Sequence, residues 1–181
     1  AGHRVVTVSL QDIAVSPAGD RIYVSAQGPE LFEFLRDGPD EPGILRTGQS
    51  GYTRALEFVP SGGLLSGHDT GQIILRHGPK IQAVGRQSGW IHCLRLGPGG
   101  LLASGGNDTR LKVWRTGPGR PVSLWESSGH WSAATEVTYR GDTVYSQSSR
   151  DGLRVWDRLS GREVVALDPD PPTLGKGVHF L

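Results

Sequence analysis

Six histidines, at positions 3, 68, 77, 92, 130 and 179, and one cysteine, Cys93, bound the metal chemistry open to this 181-residue chain. Zinc sites take several close imidazole or thiolate donors, and neither an H-x-H pair nor an H-E-x-x-H motif is present. His68 beside Asp69 comes nearest to a ligand pair, and its ordinary reading is an exposed turn residue. Ser, His and Asp all occur, as a hydrolase would need, but no G-x-S-x-G turn presents a serine as a strained nucleophile. The segment Leu174-Gly175-Lys176-Gly177 lacks the upstream Gly and the following Ser or Thr of a phosphate-cradling loop. Pro171-Pro172 ahead of it reads as a connecting loop. Asn107-Asp108-Thr109 fits the glycosylation triplet but falls in a turn, with nothing to indicate secretion. Cys93 adjoins Leu94 on an expected strand, as a buried, inert thiol would. No catalytic residue, metal ligand or cofactor site is expected.

Composition says what must position these side chains. The chain holds 27 Gly and 12 Pro, about twice the usual share for the pair. Disorder is not the explanation, because 36% of residues are apolar, five are Trp, and the net charge is only +1. The excess means many tight reversals in an all-β protein. No run of 18 apolar residues exists, so no helical membrane span is expected. Nineteen cations and 18 acids are scattered, without the basic stripe of a duplex binder. A lone cysteine forms no intrachain disulfide and suits a reducing, intracellular compartment, cytoplasmic or nuclear.

The reversals are periodic. Leu111-Lys112-Val113-Trp114 recurs as Leu153-Arg154-Val155-Trp156, and upstream counterparts are Gln72-Ile73-Ile74-Leu75 and Leu31-Phe32-Glu33-Phe34. Each is preceded by a short apolar strand, a turn rich in Gly, Pro and Asp, and another strand. Gln49-Ser50-Gly51-Tyr52 is echoed by Gln87-Ser88-Gly89-Trp90. The spacing divides the chain into units of about 40 residues at 11–47, 48–85, 86–127 and 128–168, with 169–181 opening a further one. Each unit offers three clear strands and usually a fourth. A four-stranded meander cannot bury both faces alone, whereas radial stacking covers them, so a β-propeller is expected.

Residues 101–114 and 146–157 closely resemble the WD-repeat propellers: the second ends in Val155-Trp156-Asp157, and Gly129-His130 precedes it. The resemblance spans nearly the whole chain and is most specific in the third and fourth units. It implies a blade network in which a turn Asp accepts from the Gly-His imidazole, which links to a strand Ser and then the Trp indole. In the fourth unit these are Asp151, His130, Ser146 and Trp156, with Ser148 a competing choice. The third unit offers Asp108, Ser104 and Trp114, with Gln87 where the His belongs. The second offers Asp69 and Ser66, with Gln49 for His and Leu75 for Trp, and the first has Gly28-Pro29 at its turn. In the resemblance this trio is a scaffold bond, not catalysis by Ser146.

What remains is recognition by one face, where the loops between blades meet those between second and third strands. Tyr52, Trp90, Trp131, His68, Asn107 and Arg150 are expected there, with Arg54 and Arg86 nearby. Tyr, Trp and Arg are enriched at binding hot spots. Trp90 and Trp131 could instead pack against the adjacent blade. The resemblance implies a non-catalytic scaffold for protein partners; nucleic acid and membrane are not expected. One alternative is a reader of acidic or phosphorylated peptides, as in a ubiquitin-ligase substrate receptor; a weaker one is an enzyme on a propeller frame. Rings of this family mostly have seven blades, and both ends fall inside the repeat pattern. An open arc is therefore expected, completed by further repeats or by another subunit.

Overall fold

A computed structural model describes residues 9–46, 51–116, 121–148, 150–167 and 179–180. Four antiparallel sheets follow one another along the chain. The first holds β1 (Leu10–Val15), β2 (Arg21–Ala26), β3 (Glu30–Leu35) and β4 (Gly43–Arg46). The second holds β5 (Thr53–Phe58), β6 (Leu64–His68), β7 (Gln72–His77) and β8 (Lys80–Arg86). The third holds β9 (Ile91–Gly97), β10 (Leu101–Gly106), β11 (Leu111–Arg115) and β12 (Val122–Ser127). The fourth holds β13 (Ala134–Arg140), β14 (Thr143–Ser148), β15 (Gly152–Asp157) and β16 (Glu163–Leu167), with β17 (His179–Phe180) on its outer edge.

Each sheet is an up-and-down meander, joined by the turns that the Gly and Pro excess supplies. Gly19, Gly62 and Gly141 take positive φ in the reversals after the first strands, where a Cβ would be strained. The first strand of every sheet carries a register shift near its start, as between Leu10 and Asp12 or between Ala134 and Glu136. That shift turns the strand so that its neighbours align face to face.

The sheets stack through apolar rows. Ala14, Tyr23 and Leu31 of the first meet Leu56 and Leu64 of the second. Leu65, Ile73 and Val84 of the second meet Leu94, Leu102 and Trp114 of the third. Leu101, Leu111 and Val113 of the third meet Val137, Val144 and Trp156 of the fourth. Strands β1, β5, β9 and β13 line a central, polar cavity of about 470 Å³. Two carboxylates there latch neighbouring blades: Asp12 accepts from the Leu56 N–H at 2.7 Å, and Glu57 from the Leu96 N–H at 3.0 Å. Burial raises both carboxyl pKa values, and these N–H bonds only partly offset it. The other face of the first sheet is bare and apolar, with Ile13, Val15 and Ile44 each more than half exposed.

Two expectations change. Residues 177–181 read as the first strand of a further blade, but the two described ones pair with β16 through Val165–Phe180 and Ala166–His179. An outer strand edge presents backbone groups with which a neighbouring extended segment can pair. Second, Leu75 does not stand in the Trp position. Ladder pairs fix that position opposite Leu102 and Val144 for Trp114 and Trp156, and the residue opposite the matching Leu64 is Arg76. Leu75 points to the opposite face, because one step along a strand reverses the side chain.

Candidate functional site

In the fourth sheet, His130 and Asp151 are shielded completely, with Nδ1 2.9 Å from Oδ2. His130 Nε2 lies 2.6 Å from the Ser146 hydroxyl, and the Trp156 indole N–H donates to the same oxygen at 2.8 Å. An indole N–H only donates and a carboxylate only accepts, which sets the proton order for a neutral imidazole. Trp156 donates to Ser146, Ser146 donates to His130 Nε2, and His130 Nδ1–H donates to Asp151. Asp151 also accepts from the Trp131 N–H at 3.0 Å. Burial opposes its ionisation, but hydrogen bonds from Ser148, Trp131 and His130 outweigh burial and hold the carboxyl below its ordinary value. Ser146 thus takes both the imidazole and the indole, and Ser148 stands outside that chain of bonds.

The third sheet keeps the indole end, Trp114 to Ser104 at 2.9 Å. Gln87 replaces the imidazole and donates its amide to Asp108 at 3.2 Å, with the Ser88 N–H on the other oxygen. In the second sheet Gln49 lies outside the described residues, and Ser66 bonds His68 Nε2 at 2.9 Å. His68 was expected on the exposed face; it is fully buried instead. It closes β6 and pairs with Thr53, and Ile91 of the next blade packs close over Gly67 beside it. Burial lowers its pKa to about 4. A strand-borne imidazole here bonds the Ser that a loop-borne imidazole bonds in the fourth sheet. The signal was the spacing Ser66-x-His68, two residues along one strand and therefore on one face.

The remaining expected face residues gather at one end of the sheets. Backbone bonds tie two of the aromatic loops to their blades' second turns, Asp69 N–H to Tyr52 C=O and Asn107 N–H to Trp90 C=O, and the Trp131 N–H reaches the Asp151 carboxylate instead. Tyr52, Trp90 and Trp131 are 43%, 45% and 65% exposed. Arg54 from the second blade lies over the Trp90 ring, 4.2 Å from its centroid, and donates to Gln11 at 3.3 Å. That stacking covers part of Trp90, and the His92 ring meets it edge-on at 6.3 Å. Asn107 is exposed and within 2.9 Å of His92 Nε2, and Arg150 is exposed. On the inner wall, burial pushes the Cys93 thiol up to about 12 and keeps it protonated. Among the described residues no three His, Cys, Asp or Glu side chains are placed to hold a metal.

No family model matches the sequence. Among solved structures, a chain of the mitotic checkpoint complex superposes with a TM-score of 0.76 at 17% identity, over 89% of this chain and 51% of that one. U3-55K superposes with a TM-score of 0.73 at 19% identity, over 88% and 52%. The fold is that of the WD40 β-propellers. At these identities the likeness establishes architecture alone, and the chain spans about half the length of either WD40 structure. It supports, at the level of fold, the WD-repeat resemblance of the third and fourth units.

Proposed function

We propose that this chain is a non-catalytic interaction module that holds protein partners on the face bearing Tyr52, Trp90 and Trp131. The observation that carries the reading is their exposure on one face, above loops tied down by buried networks. Large rigid aromatics on a fixed frame give contact area at little entropic cost. The groups that could do chemistry are used inside the scaffold: Ser146 is buried at 1% exposure and both donates and accepts there. Asp12 and Glu57 in the central cavity are spent on backbone N–H groups of the next blade. Both structural likenesses are chains of the same fold, one taken from a multi-protein complex.

A second reading narrows the partner to an acidic or phosphorylated peptide. It is supported by Arg150, which is exposed and has no carboxylate within ion-pair distance among the described residues, and by Arg54 on the rim of the same face. Photoreactive p-benzoylphenylalanine in place of Trp131, compared with the same group in place of the exposed Leu159, tests the first reading. Adducts with a discrete protein from position 131 alone support it; adducts from position 159 alone reject it. Arg150→Glu with Arg54→Glu tests the second: adduct yield unchanged by reversal of both charges eliminates it.

A further inference from the structure

The junctions between blades differ at two facing positions, and the difference leaves a built cavity. Between the third and fourth sheets, Trp125 of β12 and Trp156 of β15 face each other, ring centroids 6.4 Å apart. Trp125 pairs across from Val113, and Val113 from Ala103. The matching ladder in the first sheet runs Tyr23, Glu33, Gly43. The place of Trp156 is taken in the second sheet by Arg76. Two indoles at one junction thus become a glycine and an arginine at another.

The result is a cavity of about 570 Å³ between the first and second sheets, within the roughly 300–1,000 Å³ of ligand pockets. Part of its wall is apolar: Leu45, Leu64, and the rings of Tyr23 and Phe58, whose centroids are 5.6 Å apart. It opens between the turns at 17–20 and 60–63, away from the Trp90 face. The acids at its mouth are already paired. Glu33 accepts from the Tyr23 hydroxyl at 2.6 Å and from Arg21, and Asp20 accepts from Ser16. Arg76 is different: its guanidinium donates to the backbone carbonyl of Arg46 and meets no carboxylate among the described residues. A partly apolar slot of the kind filled by an indole elsewhere in the molecule therefore has a charge at its rim that lacks a counter-ion.

We propose that this slot is a second docking site, distinct from the Trp90 face, which takes an aromatic side chain of a partner peptide that carries a carboxylate beside it. The aromatic ring replaces the missing indole against Tyr23, Phe58 and Leu64, and the carboxylate pairs with Arg76. The ring supplies the apolar contact and the ion pair fixes the direction of the peptide.

Capped peptides Gly-Trp-Asp-Gly, Gly-Trp-Asn-Gly and Gly-Ala-Asp-Gly, titrated against the full chain by NMR line shifts, test the assignment. The Trp-Asp peptide is expected to bind, the Trp-Asn peptide about tenfold more weakly, as suits one charge-assisted bond, and the Ala-Asp peptide not at all. Arg76 and Leu45 both line the slot, so Arg76→Trp and Leu45→Trp each fill it, and both should abolish binding while the melting temperature holds or rises. Arg76→Gln should bring the Trp-Asp peptide down to the affinity of the Trp-Asn peptide. Equal binding of the Trp and Ala peptides, or undiminished binding to the two refilled variants, overturns the proposal. So does a dimer in sedimentation that Arg76→Trp dissolves, since the occupant would then be a second copy of this chain. The photoreactive-probe experiment on the opposite face does not touch Arg76 or Leu45, so failure of one site leaves the other standing.

Discussion

Nδ1 of His130 and Oδ2 of Asp151 stand 2.9 Å apart with no solvent access to either side chain. Asp151 also accepts from the Trp131 N–H, so the pair ties the loop before the fourth blade to the turn between β14 and β15. Truncating one member leaves the other buried and unmatched, which costs about 3–5 kcal/mol. Asp151→Ala should lose stability in that range by urea denaturation. His130→Gln recreates the third blade's arrangement, Gln87 on Asp108, and should lose only about 1–2 kcal/mol. A loss below about 0.5 kcal/mol for Asp151→Ala would place the stability of the fourth blade elsewhere.

His68 and Asp151 give the molecule two separate acid limbs. The folded pKa of His68 is about 4, below its ordinary 6.5, so between those values the unfolded chain binds a proton that the folded chain refuses. Stability therefore falls as pH drops from about 6.5 to about 4, by up to about 3 kcal/mol from this group. The depressed Asp151 carboxyl acts in the other window: its contribution is complete above the ordinary carboxylate value of 3.8 and is lost as pH falls through its lower folded value. His68→Asn should flatten the upper limb and leave the lower one. Chemical denaturation at a series of pH values reads both. An upper limb that persists in His68→Asn would refute the assignment.

The indole ends of the networks were legible because Ser104 and Trp114, like Ser146 and Trp156, are ten residues apart in strands of matching register. In the second blade the turn Asp is an unreliable ruler for the register. Asp69 follows Ser66 by three residues, Asp108 follows Ser104 by four, and Asp151 follows Ser146 by five, whereas the ladder keeps its register from the Ser. Counting from Asp reaches Leu75; counting from Ser reaches Arg76. His68 was missed for the same reason, since a residue taken for turn is the last pleat of β6 and points inward. The carboxylate latches of Asp12 and Glu57 had no sequence signal, because each bonds a backbone N–H in a different blade.

Thr109 carries the one positive φ of a residue other than glycine among the described residues, at 63°. Its branched Cβ is disfavoured there, and the second and fourth blades place Gly71 and Gly152 at positive φ in their corresponding turns. Thr109→Gly relieves the strain at some cost in unfolded-state entropy, for a net gain of roughly 1 kcal/mol. Thermal unfolding checks it, and a lower melting temperature would contradict it.

The two kinds of Trp should respond oppositely to truncation. Trp156→Ala removes a ring that is 2% exposed, together with its bond to Ser146, and should cost about 3–5 kcal/mol. Trp131→Ala removes a ring that is 65% exposed and should stay within about 0.5 kcal/mol of the parent. A large loss at Trp131 would make it a packing residue.

If the Trp90 and Trp131 rings are held out for recognition, as proposed, a Trp90→Ala, Trp131→Ala double variant should lose its partner and keep its fold. The variant's melting temperature is compared with the parent's, together with its yield of adduct with the partner trapped through the photoreactive group, moved for this purpose to the neighbouring Tyr52. The expected result is a melting temperature lowered only slightly, by the lost Arg54–Trp90 stacking, and loss of most of the adduct. A full yield of adduct from a variant that folds as stably as the parent would contradict it.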